Sequence, residues 1–451
     1  MVMNLRFRVM VAAVLLLTLV ASAACTTAYT PTSGTQCVSQ PGTGEQADNR
    51  SKQPSISEDG RYVAFTSDAS NLVSGDMNGA TDIFVRDNAK GTITRVSVSS
   101  KGTEGDDSSF WPFISADGRY VTFSSNADNL VDNDTNTYGD VFLHDMNTGT
   151  TELISVATDG KSGDDLSFWS SVSRDGQYVV FMSNADNLVT SDTNYSWDIF
   201  LRDRKTGTTS YISRAFDGTQ ANSQSEYPMI SADGRYVAYA SDATNIVPYD
   251  TNGYRDVFEY NRQTGKTIRV SLSSNGDQTD NGTQVFALAI SEDGKFVAFA
   301  SLATTLVPDD TNSAWDIFVH DRDKGETTRV SVASDGSQAN AGSYGVSISA
   351  NGRYVTFGSN ATNLVAVDTN GVMDVFVHDR QTGDTVRISN SSNGSQGNDS
   401  SGFTVISENS IDLAYGPYIT SDGRTVVYMS NATNLVPSDT NANQDIFLTT
   451  R

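Results

Sequence analysis

The chain has 451 residues, 37% hydrophobic and 19% charged, enough apolar material for a large core and too much for a disordered protein. With 54 Asp and Glu against 30 Lys and Arg the net charge is −24, which excludes nucleic acid and anionic membrane surfaces as natural partners and favours cations and basic surfaces. Only two Cys are present, both near the N-terminus, so a thiolate metal site or a cysteine nucleophile has little to be built from.

The first element is an export signal over residues 1–24. Arg6 and Arg8 precede the apolar run 9-VMVAAVLLLTLV-20 and the small residues 21-ASAA-24. No later apolar run approaches membrane-spanning length. Cys25 follows at once and resembles the lipidated Cys of a bacterial lipobox, with Ser22 standing where that pattern has Leu. A cut after Ala23 would instead leave Cys25 free to pair with Cys37 in an oxidising compartment. Both routes lead out of the cytoplasm, to the cell envelope or beyond. Residues 25–33 read as a short linker.

Residues 34–451 are repetitive. A short apolar strand, a tight turn and a second strand, as in 229-MISADGRYVAYAS-241, recur with turns at Asp59, Asp117, Asp175, Asp233, Asp293, Asn351 and Asp422, each followed by Gly. In the fourth unit four strand signals rich in β-branched and aromatic residues fall at 227–231, 235–241, 256–260 and 267–273. No sustained helical period occurs. Four-stranded sheets that cannot bury both faces alone stack on their neighbours, and radial stacking gives a β-propeller. The last unit ends on its third strand, 445-DIFLTTR-451, while 37-CVSQPGTGEQAD-48 aligns with 329-RVSVASDGSQAN-340. The sequence therefore predicts an all-β, seven-bladed propeller whose last blade is closed by an N-terminal strand at about residues 34–40.

The turns 57-SEDGRYVAF-65, 115-SADGRYVTF-123 and 291-SEDGKFVAF-299 resemble the TolB-like, WD40-like propeller repeats known as PD40. The resemblance covers the chain after the signal and implies the fold. TolB-like envelope proteins carry an N-terminal domain without a counterpart here and usually six blades, so their envelope role is not implied.

Up-and-down strands put the short turns on one face of the ring and the long loops on the other, and long loops on a rigid scaffold are where binding concentrates. All four Trp, at 111, 169, 197 and 315, fall by this reading in the long loops, with Phe110 and Phe168 before two of them. Tyr138, Tyr195 and Tyr254 share that class of loop. Such rings stack on a glycan, anchor a protein partner, or plug the top of the ring. Phe110, Trp111, Phe168, Trp169, Trp197 and Trp315 are the candidate ligand-binding set.

The same loops repeat Asp-Thr-Asn-x-x-x-Asp, with Met77 in place of Thr in the first unit, which gives hard oxygen atoms at short spacing: Asp76/Asn78/Asp82, Asp134/Asn136/Asp140, Asp192/Asn194/Asp198, Asp250/Asn252/Asp256, Asp310/Asn312/Asp316, Asp368/Asn370/Asp374 and Asp439/Asn441/Asp445. Two readings stay open. The oxygens bind Ca2+, as in a shortened version of the integrin-type propeller loops they resemble, or they cap turns through backbone amides.

No hydrolase elbow or zinc-protease motif occurs. His144, His320 and His378 occupy one repeat position shared with Arg86 and Arg202, which reads as strand surface chemistry rather than catalysis. A glycosidase or lyase needs only suitably placed carboxylates, and the clearest break in the repeat, 403-FTVISENSIDLAYGP-417, holds Glu408 and Asp412. The primary expectation is a non-enzymatic exported propeller that binds a protein or a glycan; the alternative is a carbohydrate-active enzyme working on the same face.

Overall fold

The computed structural model describes residues 29–42, 44–190, 192–402 and 416–451. The export signal, Cys25, Glu408 and Asp412 lie outside them.

Seven four-stranded antiparallel sheets form the ring. Blade 1 consists of Ser51–Ile56, Tyr62–Ser67, Asp82–Asp87 and Thr92–Arg95, from the axis outward, and the next five blades repeat that order. In blade 7, Tyr418–Ile419, Thr425–Ser430 and Asp445–Thr450 are completed by Gly34–Cys37, whose partners run from Gly34 with Thr450 to Cys37 with Phe447. The closing strand is thus shorter than residues 34–40. Beyond it the pairing continues as single bonds, Val38 N to Ile446 O at 2.8 Å and Ser39 Oγ to Asp445 Oδ1 at 2.6 Å. The fourth strand of blade 4 also ends earlier than expected, at Arg269, because the chain turns there into the connection to blade 5.

Each blade has the same kernel. An aromatic ring on the second strand faces a Phe on the third, from Phe65 on Phe84 to Tyr428 on Phe447, with ring centroids 5.8–6.1 Å apart. All these rings are fully buried. Apolar residues of one blade pack on those of the next, so the core is a series of inter-blade layers.

The Asp-Gly-[Arg/Lys]-aromatic signature is itself an inter-blade joint. Its Asp accepts from the preceding Ser or Thr hydroxyl and from the backbone N–H two residues on, as Asp59 does from Ser57 at 2.7 Å and Arg61 at 3.0 Å. Its Gly has a positive φ, and at Gly176 a Cβ would stand 2.4 Å from the ring of Tyr120 in the blade before. The residue after the turn therefore requires a glycine in the neighbouring turn, which is why the two repeat together.

The ring closes only because both chain ends share blade 7. Deleting residues 34–37 uncovers the Asp445–Thr450 edge, where Phe447 and Leu448 are fully buried. The expected outcome is a sharply lower melting temperature with aggregation through the open edge; melting like that of the parent would contradict closure as the source of stability.

Candidate functional site: the long-loop face

Innermost strands from all seven blades surround a narrow axial cavity of about 130 Å³, lined mainly by Ile, Val, Ala, Phe and Met. On the short-turn face it is barred. Arg174 of blade 3 reaches Glu58 of blade 1 at 2.5 Å and also pairs with Glu292 of blade 5. Main-chain bonds tie the same rim together, with Glu58 N to Ala116 O at 2.9 Å, Arg174 N to Ala232 O at 2.9 Å and Ser421 N to Glu58 O at 3.1 Å. Sequence reasoning missed this bar, although its signal was visible: "SRDG" puts Arg where the other turns have Glu, Ala or Ser.

The opposite end carries the aromatic residues. Trp111 and Trp169 lie in the first strands Ser109–Ile114 and Ser167–Val172, not in the loops where the sequence placed them. Each sits at a β-bulge with a left-handed backbone, φ 55° and 52°, as do Gln53 and Tyr227 at the matching positions. Four side-chain-bearing residues in a conformation that favours glycine mark a strained rim, a feature associated with functional sites. The rings join across blades 2 to 4: Trp111 to Trp169 at 5.4 Å, Trp169 to Tyr227 edge-on at 4.5 Å, and Trp111 to Phe168 at 5.2 Å. Phe110 leans on Trp111 at 5.7 Å, and Phe168 stacks on Trp197 at 6.0 Å.

Five of the six candidate aromatics are therefore brought together. Trp315 of blade 5 is separate and packs on the blade 5 to 6 layer. Trp111 is only 6% exposed and acts as the plug of the group, its Nε1 without a hydrogen-bond partner. Phe110, Phe168, Trp169 and Trp197 are half-buried and reach the surface. Space for Phe168 comes from Gly139, where a Cβ would meet the ring at 2.7 Å.

The Asp-Thr-Asn loops show one repeated network, and in it the Asn residues differ from the oxygen ligands that the Ca2+ reading made of them. Asn78, Asn136, Asn194, Asn252, Asn312, Asn370 and Asn441 each turn the amide nitrogen, not the oxygen, toward the carboxylate four residues on, donating to it at 2.8–3.2 Å. The same nitrogen donates to a main-chain carbonyl of the outgoing connection, such as Gly105 O at 2.9 Å. An N–H donor pointing at the carboxylate stands where a cation would have to be. In six of the seven the Asn oxygen is itself spent on the turn: those of Asn78, Asn136, Asn252, Asn312, Asn370 and Asn441 accept from the backbone N–H two residues on, at 2.6–3.3 Å. Asn194 of blade 3 is the exception, its Oδ1 buried without a hydrogen-bond partner.

The other carboxylate oxygen accepts from a Ser hydroxyl just past the fourth strand, as Asp82 does from Ser97 and Asp256 from Ser271. This is the turn-and-cap chemistry of the second reading. In four blades the charge is also met by an Arg between the paired carboxylates. Arg95 serves Asp76 and Asp82, and Arg269 lies 3.0 Å from Asp250 and 2.9 Å from Asp256. Arg329 lies 3.3 Å from Asp310 and 3.8 Å from Asp316, and Arg387 lies 3.6 Å from both Asp368 and Asp374. A guanidinium occupies the place a cation would take.

Blades 2, 3 and 7 differ. The strand position of Arg95, opposite the Phe of the third strand, holds Leu153, Tyr211 and Cys37. Burial pushes Asp134 up to about 6 and Asp140 up to about 7, and does the same to Asp192 and Asp198. Asp439 and Asp445 are raised for the same reason. In blade 1 a single Arg95 serves Asp76, Asp82 and Glu104, and burial with the neighbouring Asp82 still lifts Asp76 to about 6. Burial also lifts the Cys37 thiol to about 12, far from a reactive thiolate.

The three His are structural. Each is buried, contrary to the expected strand surface, and its Nδ1 is hydrogen-bonded to a Thr hydroxyl of the fourth strand at 2.9–3.0 Å. In each case that Thr donates to a carbonyl of the previous blade's connection, Val98, Leu272 or Val332. Among the described residues no group of three or more His, Cys, Asp or Glu is arranged to hold a metal ion, and no helix is long and apolar enough to cross a membrane.

Neither a family model nor a curated protein matches the sequence. The ring is similar to an oligogalacturonate lyase in complex with manganese, with a TM-score of 0.56 and 13% identity over 93% of each chain. It is similar to the β-propeller domain of the Trilobed protease from Pyrococcus furiosus, with a TM-score of 0.52 and 11% identity over 89% of this chain and 95% of that one. TolB from Acinetobacter baumannii matches with a TM-score of 0.37 and 16% identity over 62% of this chain, taking in 54% of the TolB chain, about half its length. At such identities the likeness is one of fold: the protein is an all-β, seven-bladed propeller.

The uncompensated carboxylates yield a pH test. Asp134 and Asp140 have folded pKa values of about 6 and 7, above the ordinary 3.8, so the stability cost of ionising them builds as pH rises from 3.8 and is complete above 7. Leu153→Arg supplies the cation found in four sister blades. It should stabilise the protein by on the order of 1 kcal/mol at pH 8 and by less at pH 5. Equal shifts at both pH values in thermal melts would mean that charge is not the cause.

Proposed function

We propose that the protein is an exported propeller that binds a protein or a glycan through its long-loop face, at the aromatic sector of blades 2 to 4. The observation that carries this reading is the strained aromatic group Phe110, Trp111, Phe168, Trp169 and Tyr227 at the end of the axis opposite the Arg174 bar. Export rests on the N-terminal sequence. Pro31 lies beside Gly60 on the short-turn face, so a lipid at Cys25 would tether that face and turn the aromatic face outward. Trp169→Ala should weaken retention on immobilised envelope proteins or polysaccharides at least tenfold with melting unchanged; undiminished retention removes the packed inner rings around Trp169 from the binding site.

Ca2+ is confined, in this reading, to the loops of blades 2, 3 and 7, where no Arg neutralises the Asp pair and the ion would be held by Asp carboxylates rather than by the Asn side chains. Calorimetric titration of chelator-stripped protein is expected to show no more than three ions and a modest rise in melting temperature. Seven ions would mean that the guanidinium groups are displaced, and no heat would leave the loops to turn chemistry alone.

A second reading, a carbohydrate-active enzyme, is favoured by the likeness to a manganese-bound oligogalacturonate lyase. Its candidate acids Glu408 and Asp412 lie outside the described residues. Formation of an unsaturated product from oligogalacturonate with added manganese, lost in Glu408→Gln and Asp412→Asn, would replace the binding reading.

A further inference from the structure

Every exposed aromatic side chain among the described residues falls in one sector. Tyr138, Tyr195, Phe216, Tyr249 and Tyr254 all belong to long loops of blades 2 to 4. Tyr195 and Tyr249 are 81% and 88% exposed, so their rings contribute almost nothing to the core. They are also held at φ 52° and 64°. Blade 1 uses Gly79 and Gly75 at the same two positions, and blades 4 and 6 use Gly253 and Gly371 at the first; blades 5 and 7 place small or polar residues in the same backbone, Ser313 and Ala442 at the first and Asp309 and Ser438 at the second, so only the tyrosines put a large exposed ring there. Glycine meets the requirement of this backbone at no steric cost, whereas a tyrosine does not. A ring kept there against the backbone and left in water serves something outside the fold.

The surroundings of these rings set the chemistry of the partner. Across the seven loops between second and third strands, residues 68–81, 126–139, 184–197, 242–255, 302–315, 360–373 and 431–444, Arg255 is the only Lys or Arg. It is spent, bonded to Glu226 at 2.6 Å and Asp242 at 2.5 Å. Carboxylates belong to the same loops: Asp132, six residues before Tyr138, is almost fully exposed, with Lys101 of the adjoining connection 3.9 Å away, and Asp186 accepts a hydrogen bond from the backbone N–H of Tyr195. Tyrosine faces are negative at their centres, so rings set among carboxylates attract guanidinium and ammonium groups and repel anions. The highly exposed rings of Tyr195 and Tyr249 are not enclosed by protein on either face, unlike the rings of a cleft that encloses a small saccharide. Tyrosine is among the residues enriched at the anchoring positions of protein interfaces.

We propose that the long-loop face of blades 2 to 4 is a docking surface for a basic polypeptide segment, whose Arg or Lys side chains lie over Tyr138, Tyr195 and Tyr249 against the neighbouring Asp carboxylates. This rests on the reading of that face as the binding face and names the partner's chemistry. A polyanion such as polygalacturonate is excluded by the same charges.

The test uses the intact exported chain and short poly-L-arginine, with neutral cello-oligosaccharide and polygalacturonate as the other arms, titrated by calorimetry at low and moderate salt. The triple variant Tyr138→Ser, Tyr195→Gly, Tyr249→Gly leaves the charge unchanged and relaxes the backbone, and its melting curve checks the fold. Affinity for poly-L-arginine should fall at least tenfold in the triple variant and stay at the parental value in the control Val367→Ser on blade 6. Equal affinity of parent and triple variant would mean diffuse attraction to an acidic protein and overturn the proposal, as would no binding at all. Cello-oligosaccharide binding that the triple variant loses would overturn the partner class while leaving the binding face in place. The face itself fails only if envelope retention survives both the triple variant and Trp169→Ala.

Discussion

The antiparallel pairing of Gly34–Cys37 with Asp445–Thr450 is the constraint on which the rest depends. Four residue pairs join ends of the chain separated by nearly the entire sequence, and with them made the last blade has four strands like the other six. Thr35 extends the joint by donating to Asn390 O of blade 6 at 2.6 Å, so the closing strand is held by two blades. A closed ring has no free radial edge, and it has two unlike faces. Everything functional in the molecule follows from that second property.

On the short-turn face the repeat is used for cohesion. The turn Asp caps its own turn, the turn Gly admits the ring of the preceding blade, and Arg174 draws Glu58 and Glu292 across the axis. On the long-loop face the repeat also builds a rigid base, through the Asn, Asp and Ser network under every loop. What differs between blades there is the layer above that base. Blades 1, 4, 5 and 6 neutralise their buried Asp pairs with Arg, and blades 2, 3 and 7 do not. Among the described residues, blades 2 to 4 alone present exposed aromatic tips over an inner group of packed rings. A repeat protein acquires specificity where its units stop being equivalent, and the two kinds of departure overlap in blades 2 and 3.

Much of this was legible in the sequence because the repeat makes each inference seven times. The blade count followed from the Asp-Gly turns, and closure followed from the alignment of residues 37–48 with 329–340. Five of the six aromatic candidates come together in the fold, since Phe110, Trp111, Phe168, Trp169 and Trp197 meet. Their depth was not legible. Trp111 is a plug and Trp169 a half-buried neighbour, although both follow Phe in nearly the same motif, because burial depends on which rings from adjacent blades arrive over each. The Asn of each Asp-Thr-Asn loop could be located in the sequence but not oriented: an amide offers an oxygen or a nitrogen, and the carboxylate and carbonyl that select the nitrogen of Asn78 meet only in the folded loop. Equally hidden was the role of Arg95 and its equivalents: the pairing of an Arg with carboxylates at least 13 residues earlier exists only once the fourth strand lies beside the third.

The sequence by itself determined the strands, the turns, the number of blades and the identity of the two faces, because those depend on local alternation, on glycine at positive φ and on repetition. The tertiary structure alone decided which charges are neutralised, which aromatic rings touch, and that the axis is barred at one end by Arg174. Those outcomes join residues of different strands and blades, and such contacts are set by the geometry of the closed ring rather than by the spacing of residues along the chain.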